Sequence, residues 1–442
     1  MKRFRHAFVM LVVLPALGMP AFAGTWGTQA QLSTNAYNGT IALDASGNMT
    51  SVWYQNNLPN GTAVNEIWGS TAAFAHTWST PVNISGPIGV ASGNPCVRTS
   101  SAGTATAVYN NASGVGTFSD HASGGNWTTP GATNGVVGFF TSNDHGNESL
   151  AWGGGGPRGV ANPVQVVHRS AGGAWSAAAT LATGAYVSLD GNVVAPDGTV
   201  AVSWESYSSV CGSRTCKTSN WTLHVSTLAP SSQTWVDSGP LLGPSASQNF
   251  GQMAADGMGD IGIVSISNGN VVSIVRRSGI WSTPATVAPL SSIGYYTGTG
   301  HDNRIFASDA SGHATFVGWN SGLTSLMAID GNLTTNSWGS ASVISGSDQD
   351  PGYFYFTMSQ GGGAIAFYPL VPISGSTTQW RAITRPTATS RWNAPATAGT
   401  SFDAGGNPEG VAVNATGQAA VVFHGYSSDY LTYILYTNTY QP

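Results

Sequence analysis

Asp309-Ala310-Ser311-Gly312 opens a stretch that runs on through Trp319 to Asn336-Ser337-Trp338, and this unit recurs along the chain. An Asp or Asn at the first position of such a turn bonds the backbone two residues on. The Gly takes the positive-φ position that lets two strands reverse with their natural twist. The unit therefore opens on a hairpin whose second strand ends in an aromatic residue. The same pattern appears as Asp44-Ala45-Ser46-Gly47 followed by Trp53, and as Asn414-Ala415-Thr416-Gly417 followed by Phe423. Related turns end at Gly103, Gly146, Gly198, Gly259 and, in degenerate form, Gly361.

A second marker keeps step with the first. Trp26, Trp78, Trp127, Trp175, Trp235, Trp281, Trp338 and Trp392 each open a short segment, most often Trp-x-x-Pro or Trp-x-x-Ala, at spacings of 46 to 60 residues. That period is about one blade of a β-propeller. Each unit also holds a third alternating run before its Trp segment, such as Val164–His168, Val271–Val275 and Tyr430–Tyr436. Hairpin strands A and B, this run C and the Trp segment D make a four-stranded blade. The expected fold is all-β, an eight-bladed propeller, with seven blades as the alternative because the unit at Gly361 is weak. A lone D strand, Thr25–Ser33, comes first and a C strand, Leu431–Thr439, comes last, so the N-terminal strand is expected to complete the last blade. D strands are outermost. Pro81, Pro130, Pro284 and Pro395 fit there, because an edge strand tolerates the loss of an N–H donor.

Residues 1–23 read differently from the rest. Lys2, Arg3 and Arg5 precede an apolar run from Ala7 to Leu17, and Ala21-Phe22-Ala23 matches an Ala-x-Ala cleavage site. The expectation is a cleaved leader over 1–23, a single propeller domain over 24–442, and a secreted or periplasmic protein that acts as a monomer. Only 7% of residues are charged, and Lys217 is the one lysine outside the leader. The acidic balance and the absence of Lys/Arg clusters argue against nucleic acid or an anionic membrane surface as partner. No later stretch has the apolar length of a membrane-spanning helix. Cys211 and Cys216 bracket Gly-Ser-Arg-Thr, a spacing that favours a local disulfide over a zinc site, with Cys96 read as a small buried hydrophobe.

The repeat resembles that of secreted bacterial propellers with sialidase-like, or Asp-box-like, repeats, over the whole of 24–442. The resemblance is one of architecture. A true Asp box reads Ser-x-Asp-x-Gly-x-Thr-Trp, whereas Asp44 precedes Gly47 by three residues here and Trp53 follows by six. The arginine set and the early Phe-Arg-Ile-Pro motif of the enzymatic sialidases have no full counterpart; Arg98 and Arg304 stand near inner strands and Arg158 on a loop.

In the expected topology, A–B and C–D turns share one face, while B–C loops and D-to-A crossovers share the other. The crossover face collects the chain's scarce chemistry. The candidate ligand-binding residues are Glu205, Tyr295, Tyr296, His301, Asp302, Arg304, Trp319, Asp403 and His424, with Asp348, Asp350, Tyr353 and Glu409 on the same face. Aromatic rings beside carboxylates and amides suit a carbohydrate, which stacks on the ring and fixes its hydroxyls by hydrogen bonds. Trp53, Trp152, Trp204 and Trp319 end B strands near that face. Each candidate also has a plain structural reading: a solvated Asp302–Arg304 pair, strand-end polar groups at Glu205 and His424, an ordinary turn at Asp348–Gly352 in place of a calcium loop. No nucleotide loop, metalloprotease helix or nucleophile elbow is present, so no catalytic residue is assigned and no cofactor or metal is expected. The function expected is binding of an extracellular carbohydrate or other surface ligand. The alternatives are a polysaccharide lyase or glycoside hydrolase on the same face, for which Arg304, His301, Tyr295 and Tyr296 are the nearest lyase groups, and a protein-interaction scaffold with no small ligand.

Overall fold

The computed structural model describes residues 24–57, 64–86, 94–153, 162–184, 186–211, 216–230, 232–245, 251–294, 305–346, 354–370, 377–402, 408–426 and 432–442. Within them the chain forms eight four-stranded antiparallel blades in a ring, with no helix. The inner A strands are Ala36–Leu43, Cys96–Thr99, Phe139–Ser142, Val187–Val194, Gln252–Ala255, Phe306–Ser308, Tyr355–Met358 and Pro408–Val413, which number the blades 1 to 8. The leader proposed over 1–23 lies outside the described residues.

Ring closure follows the expectation from the sequence. Thr25–Trp26 and Ala30–Thr34 pair antiparallel with Tyr433–Gln441, the C strand of blade 8, with Trp26 opposite Tyr440 and Ala30 opposite Thr437. Blade 8 is thus built from both ends of the described chain.

The A–B turns explain the recurring Asp and Gly. Asp44 Oδ1 accepts the N–H groups of Ser46 and Asn48 at 2.9 and 2.7 Å, and Gly47 sits at φ +87°. Asp309 and Asn414 cap their turns in the same way, with Gly312 and Gly417 at φ +82° and +81°. Blade 7 carries its positive-φ residue at Gly362, one residue beyond the Gly361 read from sequence. The N–H of Gly362 bonds the carbonyl of Ser359, and this fixes the register. The blade is otherwise regular, which settles the count at eight.

The repeated Trp fills the gap between neighbouring blades. Trp127 of blade 2 lies against Gly69 of blade 1, where a Cβ would come within 3.0 Å of the indole. Trp175 of blade 3 packs edge-on to Phe118 of blade 2 at 6.1 Å, and Trp235 of blade 4 edge-on to His168 of blade 3 at 6.3 Å. Ring–ring contacts of this kind add to the area the indole takes from water. After the Trp, several D strands lapse and resume, as in Ile280–Trp281 then Ala285–Pro289, the proline of Trp-x-x-Pro lying in the break where it withholds no needed donor.

Two buried arginines clasp adjacent blades. Arg169 of blade 3 donates to Asp120 Oδ1 at 2.6 Å and to Thr106 Oγ1 at 2.9 Å in blade 2, and lies over the rings of Phe118 and Trp175. Arg385 of blade 7 repeats the arrangement with Asp330 at 2.8 Å, Thr315 and the ring of Trp392. Each guanidinium meets a carboxylate and an aromatic face, which is what allows it to be buried.

The segment Glu205–Asn220, read as a loop, is instead a two-stranded arm. The B strand of blade 4, Val200–Cys211, and its C strand, Cys216–Leu228, run on together with Ser208 opposite Ser219 and Val210 opposite Lys217. Cross-strand Ser and Thr pairs support such a ladder even where no core lies beneath it.

Candidate functional site

At the crossover end of blade 4 the A strand carries a β-bulge. Leu189 pairs with Trp204 and Gly191 with Ser203, which leaves Asp190 as the extra residue between them. A bulged residue is turned out of the ordinary pleat, and Asp190 is thereby brought up to Glu205 on the B strand. Glu205 is fully buried, and Asp190 Oδ2 is buried with no hydrogen-bond partner. Burial, reinforced by the neighbouring Glu205 carboxylate, pushes the Asp190 carboxyl well above the usual carboxylate range. The protonated form of Asp190 is thereby favoured.

Two residues beyond Glu205 stands Tyr207, stacked on Trp221 of the C strand at 4.0 Å between ring centres and near Tyr186 at 5.7 Å. Trp221 is itself buried, so it backs the partly exposed ring of Tyr207, with Tyr186 tilted against the same ring.

The crossover end of blade 8 is built alike. Pro408 pairs with Phe423 and Gly410 with Val422, so Glu409 is the bulged residue. Its carboxylate accepts the N–H of Asn38 at 2.8 Å and that of Gly39, both from the A strand of blade 1, and contacts His424 Nδ1. Asn38 holds φ +53°, the left-handed conformation that aims consecutive N–H groups at one anion. Tyr426 lies tilted against Tyr433 at 4.3 Å with the two hydroxyls in contact, and Tyr37 of blade 1 reaches Tyr433 at 5.8 Å. Tyr433 is 36% exposed, which leaves a ring open to a ligand.

Of the residues expected from sequence, Glu205 and His424 thus stand at the crossover face, each in contact with a second titratable group. Trp319 is wholly buried, edge-on to Phe354 and Tyr368, so it packs between blades and not at the mouth. Trp53 and Trp204 are likewise inside. Tyr295, Tyr296, His301, Asp302, Arg304, Asp348, Asp350, Tyr353, Asp403 and Arg158 lie outside the described residues. Asp190, Tyr207, Trp221, Tyr426 and Tyr433 were missed. Aligning the units on their turn glycines would have found the first, because Asp190 and Glu409 each stand eight residues before that Gly.

The opposite mouth of the channel holds a cavity of about 230 Å³ lined by Asp44, Arg98, Asp144, Tyr355, Gln360 and Asn414, among others. Arg98 donates to the carbonyl of Val97 on its own strand, and burial raises the Asp144 carboxyl.

No family model matches the chain, and no curated protein matches it. Solved structures do. The fucose-specific lectin from Aleuria aurantia is 14% identical, with 83% of this chain and 98% of that one covered at a TM-score of 0.40. The NanB sialidase of Streptococcus pneumoniae is 10% identical, with 94% and 70% covered at 0.36. A prolyl endopeptidase is 9% identical, with 92% and 55% covered at 0.48. These are likenesses of architecture alone.

Proposed function

We propose that this chain is an exported β-propeller that binds an extracellular carbohydrate on its crossover face. The observation that carries the reading is the pairing of an aromatic platform with carboxyl groups at one strand end, Tyr207–Trp221 beside Asp190 and Glu205, and Tyr426–Tyr433 beside Glu409 and His424. Aromatic faces stack on the C–H side of a pyranose, and the carboxyl of the partly exposed Asp190 can exchange hydrogen bonds with its hydroxyls. Export is supported by the leader-like segment 1–23 and by Cys211 facing Cys216 across the tip of the blade 4 arm, where a disulfide would close the hairpin. A glycan array with the chain, followed by titration of the hits against a Tyr207→Ala/Tyr433→Ala double variant, tests the reading. The expected result is saturable binding of a glycan that the double variant loses by at least tenfold, roughly 1.4 kcal/mol. Absence of glycan binding would leave a protein-interaction scaffold as the better reading.

A hydrolytic reading rests on one feature, the Asp190 carboxyl, which burial beside Glu205 keeps in the protonated form a general acid needs. Release of reducing ends from a polysaccharide panel by wild type, and not by Asp190→Asn, would support it. Equal release by the two proteins would discard it.

A further inference from the structure

At matching offsets from their turn glycines, two blades carry the same crossover-face chemistry. Counting from Gly198 in blade 4 and Gly417 in blade 8, Asp190 and Glu409 fall at the same position, as do Glu205 and His424, and Tyr207 and Tyr426. The bulge is the same in both blades, and in both it is followed by a glycine, Gly191 or Gly410. The partner ring on the C strand is equivalent too. Leu223 pairs with Glu205 and Leu435 with His424, and two residues before each leucine stand Trp221 and Tyr433. Even the floor matches: Gly251 of blade 5 abuts Leu223 and Gly39 of blade 1 abuts Leu435, where an added Cβ would come to 3.0 and 2.9 Å of a methyl carbon. No other unit has a carboxyl residue at the bulge position, which is filled by Gly39, Pro95, Gly138, Gly251, Arg304 and Phe354.

Blades 4 and 8 are four apart in a ring of eight, so the two constellations stand on opposite sides of the channel. We infer that the crossover face carries two subsites of one design, half a turn apart, each taking one pyranose segment on its aromatic pair, stacked in blade 4 and tilted in blade 8, with a bulged carboxyl group beside it. The inference rests on the carbohydrate reading and adds to it a ligand class, a glycan presented in several copies or as a long chain, and a stoichiometry of two. Duplication of a packing solution alone would repeat in all eight blades, as the Trp segments do. The bulge itself recurs in blade 1, between Tyr37 and Thr40, but the carboxyl residue on it and the aromatic pair beyond it are confined to two units and are residue types that bind sugars.

Titration calorimetry of the full chain with soluble cello-, xylo- and mannohexaose tests the inference. The expected result is two sites per chain for the hexasaccharide that binds, one site in Tyr207→Ala, one in Tyr433→Ala and none in the double variant. The surviving site in each single variant reports that it has folded. Asp190→Asn and Glu409→Gln, which keep shape at the other end of each subsite, should weaken one site each by at least fivefold. A single site in wild type, or two sites retained in both tyrosine variants, would overturn the duplication while leaving carbohydrate binding in place. If none of the three binds and the glycan array is also blank, the carbohydrate reading falls and the duplication falls with it.

Discussion

Removing residues 24–34 should open the ring, and the cost can be worked from the blade 8 contacts. Leu32 is 8% exposed and packs in the cluster with Leu43, Trp53 and Leu435. Losing a buried leucine side chain costs about 3 kcal/mol. Trp26, half-buried against Tyr440 at 5.5 Å, contributes about 2 kcal/mol more. The ladder to the last C strand adds a net ~1 kcal/mol per hydrogen bond, including the Gly27 N–H to the carbonyl of Thr439 at 2.8 Å. Together these approach the ~5–15 kcal/mol that holds a whole domain folded. The truncation also bares the edge of Tyr433–Gln441, a long strand free to pair with another chain. The expected outcome is aggregation, or loss of the cooperative melt, seen by sedimentation and circular dichroism. A milder change, Leu32→Ala, should lower the melting temperature by roughly 3–6 °C at about 1–2 °C per kcal/mol for a chain of this length. A truncated protein that stays monomeric and melts at the wild-type temperature would show that the N-terminal strand does not close the ring.

Two further outcomes follow from the blade 4 site and its arm. Non-reducing peptide mapping of the exported protein should find Cys211 linked to Cys216, because opposed strand residues have the Cα spacing a disulfide requires; a link from Cys96 to either one would contradict the arm, since Cys96 is buried in blade 2. Asp190→Asn should raise stability at neutral pH. The raised carboxyl keeps its proton in the fold while the unfolded chain releases it above about pH 4, so wild-type stability falls as pH climbs from there through the raised value, and the variant escapes that loss. Melting curves should coincide near pH 3.5 and separate above pH 5, and a variant less stable than wild type at pH 7.5 would refute the raised Asp190 carboxyl.

The ring was legible because its two markers have one physical job in every blade. Asp44, Asp309 and Asn414 cap a turn, and the eight Trp residues wedge between blades, so their spacing carries the architecture. Blade 7 was read one residue off because Gly361, Gly362 and Gly363 are adjacent, and only the bond from the Gly362 N–H to Ser359 picks among them. The blade 4 arm looked like a loop because Ser206–Asn220 is rich in Ser and Thr, residues that pair across strands as readily as they fill turns. Glu205 and His424 were legible as charges in a chain with few of them. Trp319 was not legible as a buried ring, since a strand-end aromatic reads alike whether it faces solvent or Phe354. Asp190 escaped notice because a bulge is a property of register between two strands, which a single stretch of sequence does not display.

Turns on the far mouth bind across five of the blade junctions. Ser101 donates its N–H to the carbonyl of Asp144, Asn143 Nδ2 to that of Ala195, Gly257 to Ala310, Ala310 to Gln360, and Asn414 Nδ2 to Asp44, each bond crossing from one blade to the next. These bonds resist the parting of the blades they join at that end. The junction of blades 8 and 1, where the N-terminal strand closes the ring, is held at both mouths, by Asn414 on Asp44 at one and by Glu409 on the N–H groups of Asn38 and Gly39 at the other. Amide hydrogens of Asn38 and Gly39 should therefore exchange late. The seam that closes the ring is a double-latched one.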